Sequence, residues 1–304
     1  MVRRLSPAIT LTAGAAIVGL ALSACGSSSL TTPSASKSAP ATAQVVDPAL
    51  AAKLPAKIKS AGQIVIGTDP SYAPNEYLDP DGKTVVGWDV DLFKAVMQKF
   101  GVKTVWQPAK FPSIISGVTG GKYDLGVSSF TVNAERMKQV NMVSYYSAGT
   151  QWAAVTGNPK KVDPTKPCGL KVAVQKGTVQ QEADLPPKVT ACAKSGKPID
   201  LQVYDGQDQA TAAVVTGKAD AMLADSPIVG YAIKQSSGKL AAVGDVYDAA
   251  PYGYVLPKAE SVFGQAIADA LKAMDTSGAY KKVLTTWGVE AGAINDFALN
   301  PPVK

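Results

Sequence analysis

GKYDLGVSSFTVNAER, residues 121–136, decides how the rest of the chain is read. Gly121 stops a helix, Leu125 to Val127 is a short apolar run of strand character, and Ser128, Ser129 and Thr131 form a hydroxyl cluster. Asn133, Glu135 and Arg136 then open a helix, with Asn133 suited to cap it. The hydroxyls therefore fall at the carboxyl end of a strand, where open α/β sheets bind ligands, and a guanidinium lies one helical turn behind them.

A second segment follows the same template. Gly217-Lys218-Ala219-Asp220 and the apolar run Ala221 to Leu223 repeat the first copy, so Asp225 stands where Ser129 stands in it. Two such βα units each deliver a polar group to the same place on their own sheet. One brings hydroxyls and a cation, the other a carboxylate, and that pair suits a zwitterion.

Outward from these segments, strands and helices alternate. Gln63 to Thr68 reads as a buried strand, and Asp79-Pro80-Asp81-Gly82 is a strong turn signal. Val90, Phe93, Met97 and Phe100 recur at helical spacing behind Asp89 until Gly101 stops them, Val102 to Gln107 is the next strand, and Ser113 to Val118 a short helix. A second run begins at Leu170 to Gln175, which opens through Lys176, Gly177 and Thr178 into a helix. Leu201 to Tyr204 and Ala219 to Leu223 add strands, Gln207 to Thr216 a helix, and Ser226-Pro227 a cap and an early proline for another. The pattern is α/β, with two lobes of mostly parallel sheet covered by helices. Trp152 to Thr156 and Tyr252 to Leu256 bracket the second lobe and read as paired crossovers forming a two-strand hinge. The expected boundaries are 46–152 for the first part of lobe 1, 153–251 for lobe 2, and 252–304 for the return to lobe 1 and its C-terminal helices.

Composition narrows the function. The chain has 304 residues and a net charge of +6, of which Arg3 and Arg4 supply two units, without basic blocks. Nucleic-acid binding is not expected, because that footprint needs clustered Lys and Arg. There is no histidine, which removes His-based triads, imidazole bases and almost every catalytic zinc arrangement. No metal or cofactor is expected.

The amino terminus reads as an address. Residues 1–24 pair Arg3 and Arg4 with an apolar segment from Ala8 to Leu22, the make-up of a secretory signal, with an uncleaved anchor helix as the alternative. Leu22-Ser23-Ala24-Cys25 resembles the bacterial lipobox, which implies a lipid on Cys25. Residues 25–45 then form the lipidated cysteine and a disordered tether rich in Ser, Thr, Ala and Pro. The expected location is outside the cell, anchored to the outer face of the membrane. With Cys25 so used, Cys168 and Cys192 remain as one pair, read as a disulfide within the second lobe that contributes about 3 to 4 kcal/mol. A redox-sensing pair is the alternative.

These segments together resemble the polar amino-acid group of the solute-binding proteins that serve bacterial ABC importers, the family 3 extracellular solute-binding proteins. The resemblance runs from about Ala61 to Trp287. It is carried by Gly67-Thr68-Asp69-Pro70-Ser71-Tyr72-Ala73-Pro74, Gly87-Trp88-Asp89-Val90-Asp91-Leu92, Gly121-Lys122-Tyr123-Asp124 and Asn133-Ala134-Glu135-Arg136. Val172-Ala173-Val174-Gln175-Lys176-Gly177-Thr178, Gly217-Lys218-Ala219-Asp220 and Pro251-Tyr252-Gly253 complete it.

The resemblance implies a two-lobed periplasmic-binding-protein fold of type II, with two hinge crossovers and the ligand in the interlobe cleft. It implies that Arg136 grips an α-carboxylate, helped by Ser128, Ser129, Thr131 and the main-chain amides of Gly177 and Thr178, while Asp225 takes the α-ammonium. Tyr72 and Phe111 are the implied walls around the ligand side chain, and Asp69 and Gln175 lie beside it. Plainer roles stand next to these: a surface ion pair with Glu135 for Arg136, helix caps for Asp225 and Thr178, core packing for Tyr72 and Phe111. Asn75 replaces the family's usual phenylalanine, and Gln175 a lysine common in glutamine binders. The implied partners are a free polar amino acid and an ABC permease, with the receptor a monomer. A secreted enzyme on the same fold, of cyclohexadienyl or arogenate dehydratase type, is the second reading, in which Asp69, Asp225 or Glu182 would act as acid or base. A sensor module feeding a signalling partner is the third.

Overall fold

The computed structural model describes residues 44–303. The signal segment, Cys25 and the tether as far as residue 43 lie outside the described residues.

Two short helices, α1 (Pro48–Ala51) and α2 (Ala56–Ala61), precede strand β1 (Gln63–Thr68). A small meander follows, β2 (Ser71–Tyr72), β3 (Glu76–Leu78) and β4 (Val85–Val86), with the Asp79-to-Gly82 turn between its last two strands. Gly82 N–H donates to the Asp79 carbonyl at 2.8 Å to close that turn. Helix α3 (Trp88–Phe100) leads to β5 (Lys103–Pro108), α4 (Ile114–Thr119), β6 (Leu125–Gly126) and α5 (Ala134–Gln139). The long strand β7 (Asn141–Val155) then carries the chain into the second lobe: β8 (Lys171–Gln175), α6 (Leu185–Lys194), β9 (Asp200–Tyr204), α7 (Gln207–Val215), β10 (Ala221–Asp225) and α8 (Ser226–Gln235). Strand β11 (Leu240–Leu256) returns to the first lobe, which α9 (Ser261–Thr276) and α10 (Ala279–Trp287) complete.

The eight-stranded sheet has the order β5-β1-β6-β11-β7-β10-β8-β9. Each end is a parallel triplet, β5-β1-β6 in one lobe and β9-β8-β10 in the other, and the antiparallel pair β7 and β11 joins them. The expected crossovers are therefore present, but longer than read and in a different register. Trp152 lies opposite Val243 and Tyr252 opposite Tyr146, so the two segments expected to pair occupy different stretches of the ribbon. The register slips between Val243 and Tyr247, between Tyr247 and Ala250, and between Tyr252 and Gly253. Such irregularities bend a strand pair locally.

The first core packs Trp88, Phe93, Met97 and Phe100 of α3 with Phe263, Ile267 and Leu271 of α9 and with Tyr280 and Leu284 of α10. The apolar spacing read from sequence is what turns these faces inward. Helix α3 needs a glycine before it, because a Cβ on Gly87 would lie 1.9 Å from the Asn75 carbonyl oxygen. The second lobe has its own clusters, one of which contains Trp152, Val172, Val174, Leu185 and Cys192. Cys168 and Cys192 form a disulfide there, with Cα atoms 5.0 Å apart, tying the approach to β8 onto α6.

Candidate functional site: the cleft between the lobes

The repeated Gly-Lys-x-Asp segment does the same work twice. After α4, Gly121 takes φ 75°, Lys122 and Tyr123 N–H both donate to the Gly117 carbonyl, and Asp124 exchanges hydrogen bonds with Val65 of β1, 2.8 Å in each direction. After α7, Gly217 takes φ 75°, Lys218 and Ala219 donate to the Ala213 carbonyl, and Asp220 exchanges bonds with Lys171 of β8, again 2.8 Å each way. Each aspartate clips its helix–turn–strand unit to the central strand of its lobe. The residue five places on then emerges at the strand's carboxyl end: Ser129 in the first lobe, Asp225 in the second.

Those ends meet around a narrow cavity lined by Asp69, Tyr72, Phe111, Ser128, Ser129, Thr131 and Arg136 from the first lobe and by Gln175, Thr178, Val179, Gln180 and Asp225 from the second. The structure thus gathers every expected ligand residue except Gly177 into the lining. Gly177 sits behind it, and its amide, expected to face a ligand, donates to Gln181 Oε1 at 3.0 Å. Val179 and Gln180 were not read from the sequence, where a valine and a glutamine at the start of a helix carry no mark of a site.

Arg136 is buried and has two hydrogen bonds: to the Thr131 carbonyl at 2.8 Å and, across the cleft, to the Gly177 carbonyl at 3.0 Å. Its guanidinium carbon lies 5.3 Å from the Phe111 ring centroid and 5.4 Å from that of Phe130, and these two rings stack. Burial brings its pKa down to about 10, against the pull of nearby carboxylates, so it remains a cation at neutral pH. The plainer role is taken by others: Glu135 pairs with Lys138 at 2.6 Å.

Asp225 occupies the N-cap position of α8, one residue before the cap expected at Ser226, yet its side chain accepts no bond from that helix. Its Oδ2 accepts from Tyr72 at 2.8 Å and Tyr252 at 2.7 Å, and its Oδ1 from Gln180 Nε2 at 2.8 Å. Burial pushes its carboxyl up, while these bonds and the charge of Arg136 act in the opposite direction.

Asp69 is held similarly. Its oxygens accept from Ser71 N–H at 3.1 Å, Phe111 N–H at 2.9 Å and Gln175 Nε2 at 2.9 Å, and burial raises its pKa. Gln175 Oε1 is buried and has no hydrogen-bond partner among the described residues. Thr178 donates its hydroxyl to the Gln175 carbonyl at 2.8 Å. The side chains of Ser128 and Ser129 also have partners in the protein. Ser128 Oγ accepts from Asp69 N–H at 3.0 Å, and Ser129, at φ 53°, donates to Glu76 and accepts from Asn75 Nδ2 at 2.8 Å. Asn75, read as a polar change in the pocket wall, instead joins Ser129 to the Trp88 indole, which donates to Asn75 Oδ1 at 2.6 Å.

The lobes touch through these same groups. Tyr72 packs among residues of the second lobe, including Ala210, Val214 and Ile228, and its hydroxyl bonds Asp225. Arg136 with Gly177 and Asp69 with Gln175 are further cross-cleft pairs. Among the described residues, no group of three or more acidic, Cys or His side chains is placed to hold a metal ion.

Comparison with known proteins agrees with this fold. The family model described as bacterial extracellular solute-binding proteins, family 3, matches residues 64–290. The arginine-binding protein ArgT of Corynebacterium glutamicum is 35% identical over 254 residues, which cover 83% of each chain. Among solved structures, an ancestral arginine-binding protein bound to arginine superposes with TM-score 0.68 at 29% identity, covering 74% of this chain and 98% of that one. An ancestral amino acid-binding protein described as a precursor of cyclohexadienyl dehydratase gives TM-score 0.67 at 30% identity, covering 76% and 97%.

Proposed function

This chain belongs to the family 3 bacterial extracellular solute-binding proteins, and from that premise we propose that it captures a cationic amino acid, arginine foremost, by closure of its lobes and hands it to the permease of an ABC importer. The observation that carries the choice of ligand is the charge of the cavity wall: one cation, Arg136, against two carboxylates, Asp69 and Asp225. A ligand with an α-carboxylate, an α-ammonium and a cationic side chain matches all three; a neutral amino acid leaves one carboxylate buried without a counter-charge, which is costly.

In this reading Arg136 takes the α-carboxylate through its planar fork, and Asp225 the α-ammonium. Asp69 and the unpartnered Gln175 Oε1 accept from the ligand's guanidinium, while Tyr72 and Phe111 flank its aliphatic stem. Ser128, Ser129, Thr131, Gly177 and Thr178 set the positions of these groups. The ligand takes over the bonds that Arg136, Asp225 and Asp69 now make across the cleft. Charge-assisted contacts contribute roughly 1.5 to 3 kcal/mol each, enough in combination for the about 8 kcal/mol of a micromolar affinity. That ArgT and the ancestral structure are arginine binders by name supports the same choice.

Export by residues 1–24, lipid attachment at Cys25, a tether to residue 45 and a monomeric receptor on the outer face of the membrane complete the proposal. So do the lobe boundaries at 46–152, 153–251 and 252–304. Calorimetry against the twenty amino acids tests it, with arginine expected to bind most tightly and Arg136→Ala to abolish binding without loss of fold. Tight binding of a neutral or acidic amino acid, with none of arginine, would overturn the choice of ligand.

A further inference from the structure

We propose that Ser71, on the first lobe, locks closure by acting as the N-terminal cap of helix α7 on the second. Helix α7 begins at Gln207, and the residue in its N-cap position is Gly206, which has no side-chain oxygen to offer the first free amides. The missing oxygen comes from across the cleft: Gln207 N–H donates to Ser71 Oγ at 3.1 Å. A Cβ on Gly206 would lie 2.4 Å from Asp208 Oδ1 and 3.1 Å from both Cβ and Oγ of Ser71, so a side chain there would crowd the approach of the hydroxyl. Ser71 is itself oriented, since its N–H donates to Asp69 Oδ1 at 3.1 Å. Beside it, Lys110 of the first lobe pairs with Asp205 of the second, but both side chains are largely exposed and hold the lobes only weakly.

Ser71 does not line the cavity, but its hydroxyl is a partner of the Asp69 carboxylate and lies 3.5 Å from Gln175 Nε2, so amide exchange at Gln207 is read beside ligand release to separate loss of the cap from a change at those two side chains. Because the donor and acceptor sit on different lobes, the cap exists only when the lobes are together, and its loss acts on the closed form alone. The inference rests on the reading of the chain as a receptor that closes on its ligand. A serine cap of ordinary strength should slow opening about fivefold.

The test uses Ser71→Ala and Ser71→Thr. In stopped-flow with L-arginine, Ser71→Ala should release the ligand about fivefold faster with an unchanged association rate, and Ser71→Thr, which keeps the hydroxyl, should behave as wild type. Without added ligand, amide exchange at Gln207 should accelerate in Ser71→Ala while the melting temperature stays the same. Unchanged release in Ser71→Ala, equal acceleration in both variants, or unaltered exchange at Gln207 would overturn the proposal. Should wild type fail to bind arginine, the proposed ligand falls, and the exchange measurement still decides the cap.

Discussion

Glu76 and Asp89 are both fully buried, and among the described residues Glu76 Oε2 and Asp89 Oδ1 have no donor from another group. A single proton held between the two carboxyls satisfies both atoms. Burial and the negative charge of Asp89 push Glu76 well above the usual carboxylate range, and burial pushes Asp89 up to about 6 even though it accepts from Glu76 and Tyr145. The two carboxyls are therefore expected to hold one proton between them. Since both values are raised on folding, the stability they contribute is complete below the unfolded values near 4 and declines as pH rises through about 6 and beyond. Glu76→Gln places an amide donor where the proton was, so denaturant titrations at pH 5, 7 and 9 should find it increasingly more stable than wild type as pH rises. Glu76→Ala should lose about 3 kcal/mol above about pH 6, where Asp89 is left as a buried charge without its carboxyl partner. Parallel pH profiles for wild type and Glu76→Gln would count against a shared proton. Asp225 gives the companion prediction for binding. Its carboxyl is raised by burial, and an ammonium beside it lowers it again, so binding expels protons and affinity should fall as pH drops below neutrality toward the ordinary carboxylate range. Asp225→Asn should weaken arginine binding by 100-fold or more, about 3 kcal/mol, and remove the proton release that calorimetry in buffers of different ionisation enthalpy measures. Arg136 and Asp225 were legible because repeated strand–turn–helix signals point at them. Glu76 and Asp89 were not, since nothing in the order of residues says that two carboxyls on either side of the β3–β4 turn will share one buried place.

The short elements of each lobe were read nearly to their ends, because Gly101 and Gly217 stop helices where left-handed backbone follows, and apolar spacing marks the buried faces. The two long strands were not. Strand β7 is buried along most of its length, yet Ser144, Ser147, Gly149, Thr150 and Gln151 interrupt its apolar run. Those residues are tolerated because they are bonded: Ser144 Oγ to the Asp296 and Ala298 carbonyls, Ser147 Oγ to that of Ala250, and Gln151 Nε2 to those of Val243 and Gly244. A C-terminal segment supports the same strand, with Ser144 N–H donating to the Ala298 carbonyl and Asn300 N–H to that of Met142. Such partners come from far along the chain, and local pattern holds no trace of them. At this scale the disulfide offers the cleanest test. Cys168 and Cys192 are 24 residues apart and close a loop over the α6 face of the second lobe. Replacing both with serine should cost about 3 kcal/mol, read as a lower denaturation midpoint. Arginine affinity should change little, because neither cysteine reaches the cavity lining.

For the molecule as a whole, the bonds that cross the cleft are made by the chain's own groups: Tyr72 with Asp225, Arg136 with Gly177, Gln175 with Asp69, and Ser71 with Gln207. If these bonds also form in solution, the closed arrangement should be populated before ligand arrives. A ligand then wins only by exchanging the bonds of Asp225, Arg136 and Asp69 for stronger, charge-matched ones, while the Ser71–Gln207 bond stays, so its effect is a shift of population toward a form already present. The two Gly-Lys-x-Asp turns provide equivalent, exposed labelling points, at Lys122 on one lobe and Lys218 on the other. Spin labels at these positions should report two distance populations without ligand, merging into the closed one as arginine is added. Moving the ratio from 1:99 to 99:1 would demand about 5.5 kcal/mol of preference for the closed form, whereas a protein that already samples closure demands less. Tyr72→Phe removes the hydroxyl that donates to Asp225 Oδ2 and accepts from Asp225 N–H while keeping the ring, and should reduce the closed population before ligand is added. A single open distance in wild type, converted to closed only by arginine, would mean that the cross-cleft bonds follow ligand capture and do not precede it.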